Sequence, residues 1–168
     1  MTEILDGSRG AAHQALRDSV DEVLEKMFFT QTMGECPVDP AEGQGADEIA
    51  VSLVFEGEPS GLFLLRLTTA AARQIAADFL GIDEPEVSEI QTSDVIRELS
   101  NMICGSVLSR VESAATFQLG APQIVPASEE IAGSLSNTRY CVQLSNGRLT
   151  VNFGTGIPIC SQPAQSAY

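Results

Sequence analysis

Ser145-Asn146-Gly147 stands between two alternating runs, Arg139–Leu144 and Arg148–Phe153. Asn-Gly so placed is the strongest short-range signal for a β-hairpin, because both residues tolerate the positive φ of a tight turn. A lone hairpin is marginal in water, so the chain must supply further strands or a helix to cover it. A second hairpin is legible upstream: Ile49, Val51, Leu53 and Phe55 alternate, the turn-forming stretch Glu56–Gly61 follows, and the apolar run resumes over Leu62–Leu67.

The covering elements have helical period. Leu16, Val20, Val23, Leu24, Met27 and Phe28 form one stripe, which predicts an amphipathic helix over Ala11–Phe28. A second long helix is predicted over Glu89–Glu112, opened by the capping box Ser88-x-x-Gln91. A short helix through Ala70–Leu80 can be capped by Thr68 or Thr69 and is ended by Gly81. Glu35–Pro40 with Gly43 and Gly45 reads as a loop or an edge segment, Thr116–Leu119 as a strand, Pro122–Pro126 as a proline-bounded segment before a polar loop, and Ser161–Tyr168 as a disordered tail. Long helix, proline-rich segment and hairpin thus occur twice. This order suits an α+β fold in which an antiparallel sheet is covered on one face by two long helices, with a pseudo-twofold internal repeat.

At 168 residues, with 43% hydrophobic and 19% charged, the chain reads as one soluble domain over residues 1–160, able to bury a core without a metal or a crosslink. Nine Lys+Arg against 23 Asp+Glu give a net charge of -14, which disfavours nucleic acid and anionic membrane as partners. No apolar run approaches a membrane span, and Met1–Asp6 lacks the basic start and apolar core of a signal peptide. A cytoplasmic location is expected. Cys36, Cys104, Cys141 and Cys160 are widely spaced, and His13 is the sole histidine, a set that does not fit a zinc site of ordinary spacing. Cys104 and Cys141 lie in apolar patterns, and all four cysteines are read as small hydrophobes. His13, at the expected frayed start of its helix, is read as incidental.

Chemistry concentrates on the second long helix. With Asp94 as the origin and a turn of about 100° per residue, Glu98 falls at about 40°, Asn101 at about -20° and Gly105 at about 20°. Val95, Leu99, Met102, Ile103 and Val107 fall on the other side, at roughly 80–220°. An acid, an amide and a glycine therefore share a polar stripe, and the glycine permits close approach of another molecule. Any amphipathic helix has such a face, so geometry alone does not separate a site from a solvated surface. Leu108 and Phe29 also fall on polar stripes, through partner contact or through helix curvature.

Asp94-x-x-x-Glu98-x-x-Asn101, on a long helix between two strand pairs and followed about two dozen residues later by Pro122 and Pro126, resembles the CheX, CheC and FliY group of chemotaxis phosphatases. The single motif copy is most like CheX. The resemblance implies a CheC-like layered α/β sandwich and hydrolysis of the aspartyl phosphate of a CheY-like response regulator. It implies no cofactor or metal of the chain's own, with Mg²⁺ in the partner's pocket. An acyl phosphate has a good leaving group, so the catalyst's remaining task is to hold a water in line with the P–O bond. Asn101 can do that: its amide donates and accepts, does not titrate, and adds no negative charge beside the phosphoryl group. Glu98, about 4.5 Å along the axis, is placed to bridge the lysine that response regulators keep beside the phosphate. Asp94 is assigned either to peripheral docking or to helix N-terminal electrostatics, and Gly105 to partner contact. The first long helix carries Asp18-x-x-x-Glu22-x-x-Glu25, a carboxylate in place of the amide. Phosphoryl oxygens would repel Glu25, so that face is expected to be catalytically silent or to bind something else.

Two other classes compete. A module of the same fold, related to flagellar switch proteins, would bind a response regulator without catalysis. Gly154-Thr155-Gly156 as a nucleotide-phosphate loop lacks a third glycine, a Walker lysine and a following helix, and no Gly-x-Ser-x-Gly elbow supports a serine hydrolase. Because response regulators are commonly neutral to acidic, local complementarity must overcome global repulsion. A homodimer through hairpin edges is a further expectation.

Overall fold

The computed structural model describes residues 2–36, 47–58, 60–111, 116–128 and 136–156. In chain order the elements are α1 (Thr2–Met27), β1 (Glu48–Glu56), β2 (Gly61–Thr68), α2 (Thr69–Leu80), a 3-10 turn (Glu84–Glu86), α3 (Glu89–Val111), β3 (Gln118–Leu119), β4 (Gln123–Val125), β5 (Ser136–Leu144) and β6 (Gly147–Thr155). The β1–β2 and β5–β6 hairpins lie side by side through β2 and β6, and β3 and β4 both pair with the outer edge of β1. All these pairings are antiparallel. The result is an α+β fold in which three helices pack with a six-stranded antiparallel sheet.

Alternation along the strands sends Val51, Leu53, Phe55, Phe63, Leu65, Leu67, Leu149, Val151 and Phe153 into one core with the stripes of α1 and α3. Phe55 and Phe153 stack at 5.3 Å between ring centroids, and each such buried ring contributes roughly 1.5–3 kcal/mol of transfer free energy. Small residues on α2, Ala71, Ala72, Ala76 and Ala77, are buried and let this third helix lie close. The opposite face of the central strands is covered as well: Leu64, Arg66, Thr150 and Asn152 are buried. There Arg66 Nε donates to the carbonyl of Ala127 at 2.7 Å, so the segment after β4 crosses that face.

Several local expectations hold, with shifts that have identifiable causes. Helix α3 opens on the full capping box: Ser88 Oγ accepts from the Gln91 N–H at 3.1 Å, and Gln91 Oε1 accepts from the Ser88 N–H at 2.9 Å. A Ser88→Ala variant should lose about 1 kcal/mol, read as a fall of roughly 2–4 °C in Tm. Gly81 ends α2 in the left-handed conformation. Thr68 occupies the N-cap of α2, yet its side chain makes no cap bond; its hydroxyl donates to the Asn146 carbonyl at 3.5 Å. Helix α1 starts at Thr2 instead of Ala11 because Thr2–Gly10 contains no proline to stop it.

The terminal hairpin turns one residue earlier than its Asn-Gly signal suggests. Leu144 pairs with Gly147, which leaves Ser145 and Asn146 in the turn, and neither adopts positive φ. Gly147 is required for a different reason: at φ 148° a Cβ would land on the Thr68 side chain. Gly154 and Thr155 are the last residues of β6, and Gly61 must be glycine opposite them, since a Cβ there would collide with the Gly154 carbonyl.

The reading of all four cysteines as small hydrophobes is overturned for two of them. Cys36 and Cys141 form a disulfide, with Cα atoms 5.3 Å apart. Around it, Met33 N–H donates to Gln143 O, Gln143 N–H to Gly34 O and Cys36 N–H to Cys141 O, at 2.8–3.0 Å. Met33–Cys36 thus lies along the free edge of β5. Cys104 does behave as a buried hydrophobe, and burial pushes its thiol up to about 12. His13 is not incidental either. With α1 extended it sits mid-helix, bonds Glu35 at 2.9 Å and meets the Tyr140 ring edge-on. Position 160, the proline-rich stretch over 37–46, the polar loop over 129–135 and the tail over 161–168 lie outside the described residues.

Candidate functional site

Helix α3 builds the site because its apolar residues lock its rotation. Val95, Ile96, Leu99, Ile103, Cys104 and Val107 are buried, which turns Asp94, Glu98 and Asn101 outward together. Gly105, next along the same stripe, is partly exposed, and a Cβ there would meet nothing within 4 Å. Glu98 and Asn101 have no hydrogen-bond or ion-pair partner among the described residues. Asp94 is paired with Arg97, Oδ1 to Nη1 at 3.3 Å.

The buried arc of α3 is wider than the stripe from Val95 to Val107 that its sequence outlines, and this settles Leu108. It is buried in the core, so neither partner contact nor curvature accounts for it. Phe29 is not on a helix at all: α1 ends at Met27, and Phe29 takes φ 55° just beyond it, 69% exposed. There the chain leaves the helix while the Thr30 N–H bonds back to Leu24 O at 2.8 Å.

Helix α1 uses its acidic stripe differently. Glu22 is ion-paired with Arg110 of α3, and Lys26 lies 3.9 Å from the same carboxylate. Asp18 accepts from Gln14 at 2.8 Å, and Ser19 and Ser106 bond across the two helices at 3.0 Å. Glu25 is exposed. The Asp21 carboxyl, which Tyr140 reaches at 3.3 Å, is raised by burial in spite of that hydroxyl; the perturbed carboxylate of α1 thus belongs to the contact with β5. Glu22 thus fastens helix to helix and Asp21 helix to sheet, whereas Asp94 and Glu98 of α3 face outward.

Two residues missing from the sequence reading share the exposed side of α3. Ile90 is 75% exposed at the first turn, and Arg97 projects beside Asn101. The same arithmetic, about 100° per residue, places them at about -40° and about -60°, so the signal was available. Surface cavities of about 570 and 520 Å³ lie elsewhere, one beside β1 and β3 and the other between the end of α1 and α2. Among the described residues no cluster of three or more His, Cys, Asp or Glu could hold a metal ion, and no helix is long and apolar enough to cross a membrane.

Glu98 and Asn101 thus project together from one face of α3, and neither lines the two cavities named above. Residues 49–145, more than half of the chain and including all of α3, match the family profile described as Chemotaxis phosphatase CheX. The chain belongs to this family of chemotaxis phosphatases. Solved structures share the fold. Chemotaxis protein CheX from Vibrio vulnificus is 16% identical, with a TM-score of 0.69 over 88% of this chain and 98% of that one. CheX in a CheX–CheY–BeF3–Mg²⁺ complex from Borrelia burgdorferi is 14% identical, with a TM-score of 0.64 over 84% and 96%. FliY of Thermotoga maritima is 13% identical, with a TM-score of 0.58 over 89% and 90%. No curated protein sequence matches the chain.

Proposed function

We propose that this chain hydrolyses the aspartyl phosphate of a CheY-like response regulator, with Asn101 positioning the attacking water and Glu98 bridging the lysine beside the phosphate. The observation that carries the reading is the joint outward projection of Glu98 and Asn101 from α3, neither engaged by another side chain or backbone group among the described residues. A residue already bonded at home would have to break that bond to enter a foreign pocket. The Borrelia burgdorferi structure, which holds CheX together with CheY, BeF3 and Mg²⁺, supports a receiver as partner.

Chemically, the neutral amide orients water without repelling the phosphoryl oxygens, and the acid anchors the partner so that the amide arrives in register. Gly105 leaves room for the approaching backbone. Residues 1–160 are taken as one catalytic unit acting in the cytoplasm. The side-by-side hairpins, one from each half, and the mutual packing of α1 and α3 support an internal pseudo-twofold repeat whose first copy is catalytically silent. A homodimer through sheet edges would pair along β3 and β4 or along Met33–Cys36, since the hairpin strands are already flanked on both sides.

The test is to mix the protein with phosphorylated receiver domains from the same genome and follow phosphate release. One receiver should lose phosphate rapidly with the wild type. Glu98→Ala should bind it poorly, and Asn101→Ala should bind it and fail to turn it over. Equal turnover by wild type and Asn101→Ala would reduce the protein to a binding module.

A further inference from the structure

Arg97 stands out by its surroundings. Several other cations among the described residues are committed to structure: Arg73 to Glu84 at 2.7 Å, Arg66 to the Ala127 carbonyl at 2.7 Å, and Arg110 to Glu22. Arg97 has only Asp94, at 3.3 Å, in a pair whose side chains are 43% and 65% exposed. Exposed pairs of this kind are weak and are readily exchanged for a better partner. Its Nε is shielded and makes no hydrogen bond, so most of the donors of the guanidinium fork are unused.

Position gives these spare donors a target. Arg97 precedes Asn101 by one helical turn, which brings the two side chains to neighbouring places on the surface. Whatever Asn101 touches, Arg97 flanks. On the reading proposed above, Asn101 enters a pocket holding a phosphoryl group of charge about -1.5 to -2. A chain of net charge -14 repels an acidic receiver as a whole, and one cation beside Asn101 opposes that repulsion at the point of contact.

We propose that Arg97 is a docking cation for the anionic rim of the phosphorylated receiver, released from Asp94 when the partner's carboxylate or phosphoryl oxygens take its place. This inference rests on the phosphatase reading and assigns Asp94 a new role, as the counterion that holds Arg97 outstretched. Arg97 acts on binding and orientation; it takes no part in the transfer of the phosphoryl group.

The experiment measures Kd for a CheY-like receiver activated with beryllofluoride and Mg²⁺, and KM and kcat for the phosphorylated receiver. Arg97→Gln should raise Kd and KM about tenfold, with kcat changed by less than about twofold. Arg97→Lys should recover most of the loss, and Asp94→Asn should lower KM. Thermal melts of all three variants should overlay the wild type, since the pair is exposed. Unchanged Kd and KM in Arg97→Gln, with wild-type turnover intact, would overturn the Arg97 assignment and leave the phosphatase reading standing. A loss confined to kcat would also overturn it. Absence of both binding and turnover by the wild type, with every receiver tried, would remove the phosphatase reading and the Arg97 assignment with it.

Discussion

Replacing Asn101 with alanine should lower the rate of receiver dephosphorylation about a hundredfold, or about 3 kcal/mol in the barrier, while the Kd for the activated receiver stays within about twofold. The magnitude follows from what is left undone. On the proposed mechanism, leaving group, Mg²⁺ and charge stabilisation would reside in the partner, so loss of the amide would remove only the orientation of one water. The separation of rate from binding follows from the surroundings of Asn101, which is exposed and bonds nothing among the described residues. Its exposure also predicts an unchanged Tm, so a folding defect cannot be mistaken for a catalytic one. Single-turnover phosphate release, with the receiver pre-phosphorylated and the variant in excess, provides the check. Asn101→Asp should be worse than Asn101→Ala, because a carboxylate restores the acceptor and adds repulsion beside the phosphoryl group.

The second large effect concerns stability. The Cys36–Cys141 disulfide closes a loop of 105 residues in sequence separation, containing both β1–β2 and all of α3. By chain entropy a loop of that length is worth about 4–5 kcal/mol, so reduction should lower Tm by roughly 10 °C or more. Cys36→Ser should melt at the temperature of the reduced wild type and be indifferent to reductant. The loss should begin locally, because Met33–Cys36 is otherwise held on β5 by a few backbone bonds and the His13–Glu35 contact. Differential scanning calorimetry with and without dithiothreitol measures the effect. Equal melting temperatures for oxidised and reduced protein would show that the crosslink adds nothing to the fold.

How much of this was legible beforehand depends on the range of the signal. The boundaries of α3 and both hairpins were readable because each is written locally, in a capping box, a helical period or strict alternation. The same period correctly turned Glu98 and Asn101 outward. Strands β3 and β4 carry too few residues for any period, and their place on β1 depends on a partner more than sixty residues upstream. The disulfide was invisible for a similar reason: widely spaced cysteines give no pairing signal, and Cys141 sits in an apolar alternation that a small hydrophobe would also satisfy. The turn of the final hairpin was displaced because Gly147 answers to Thr68 across the sheet as well as to its own turn. Arg97 left no such mark, because what distinguishes it is the weakness of its pairing with Asp94, a property of side-chain placement.

The bond between Glu22 and Arg110 has a consequence for counting. It spends Glu22 on holding α3, and α1 carries Glu25 where α3 carries Asn101, so each protomer offers one outward acid–amide pair on the reading advanced above. Receiver and protein should then titrate to an equimolar end point, and added receiver should compete for that single place instead of filling a second.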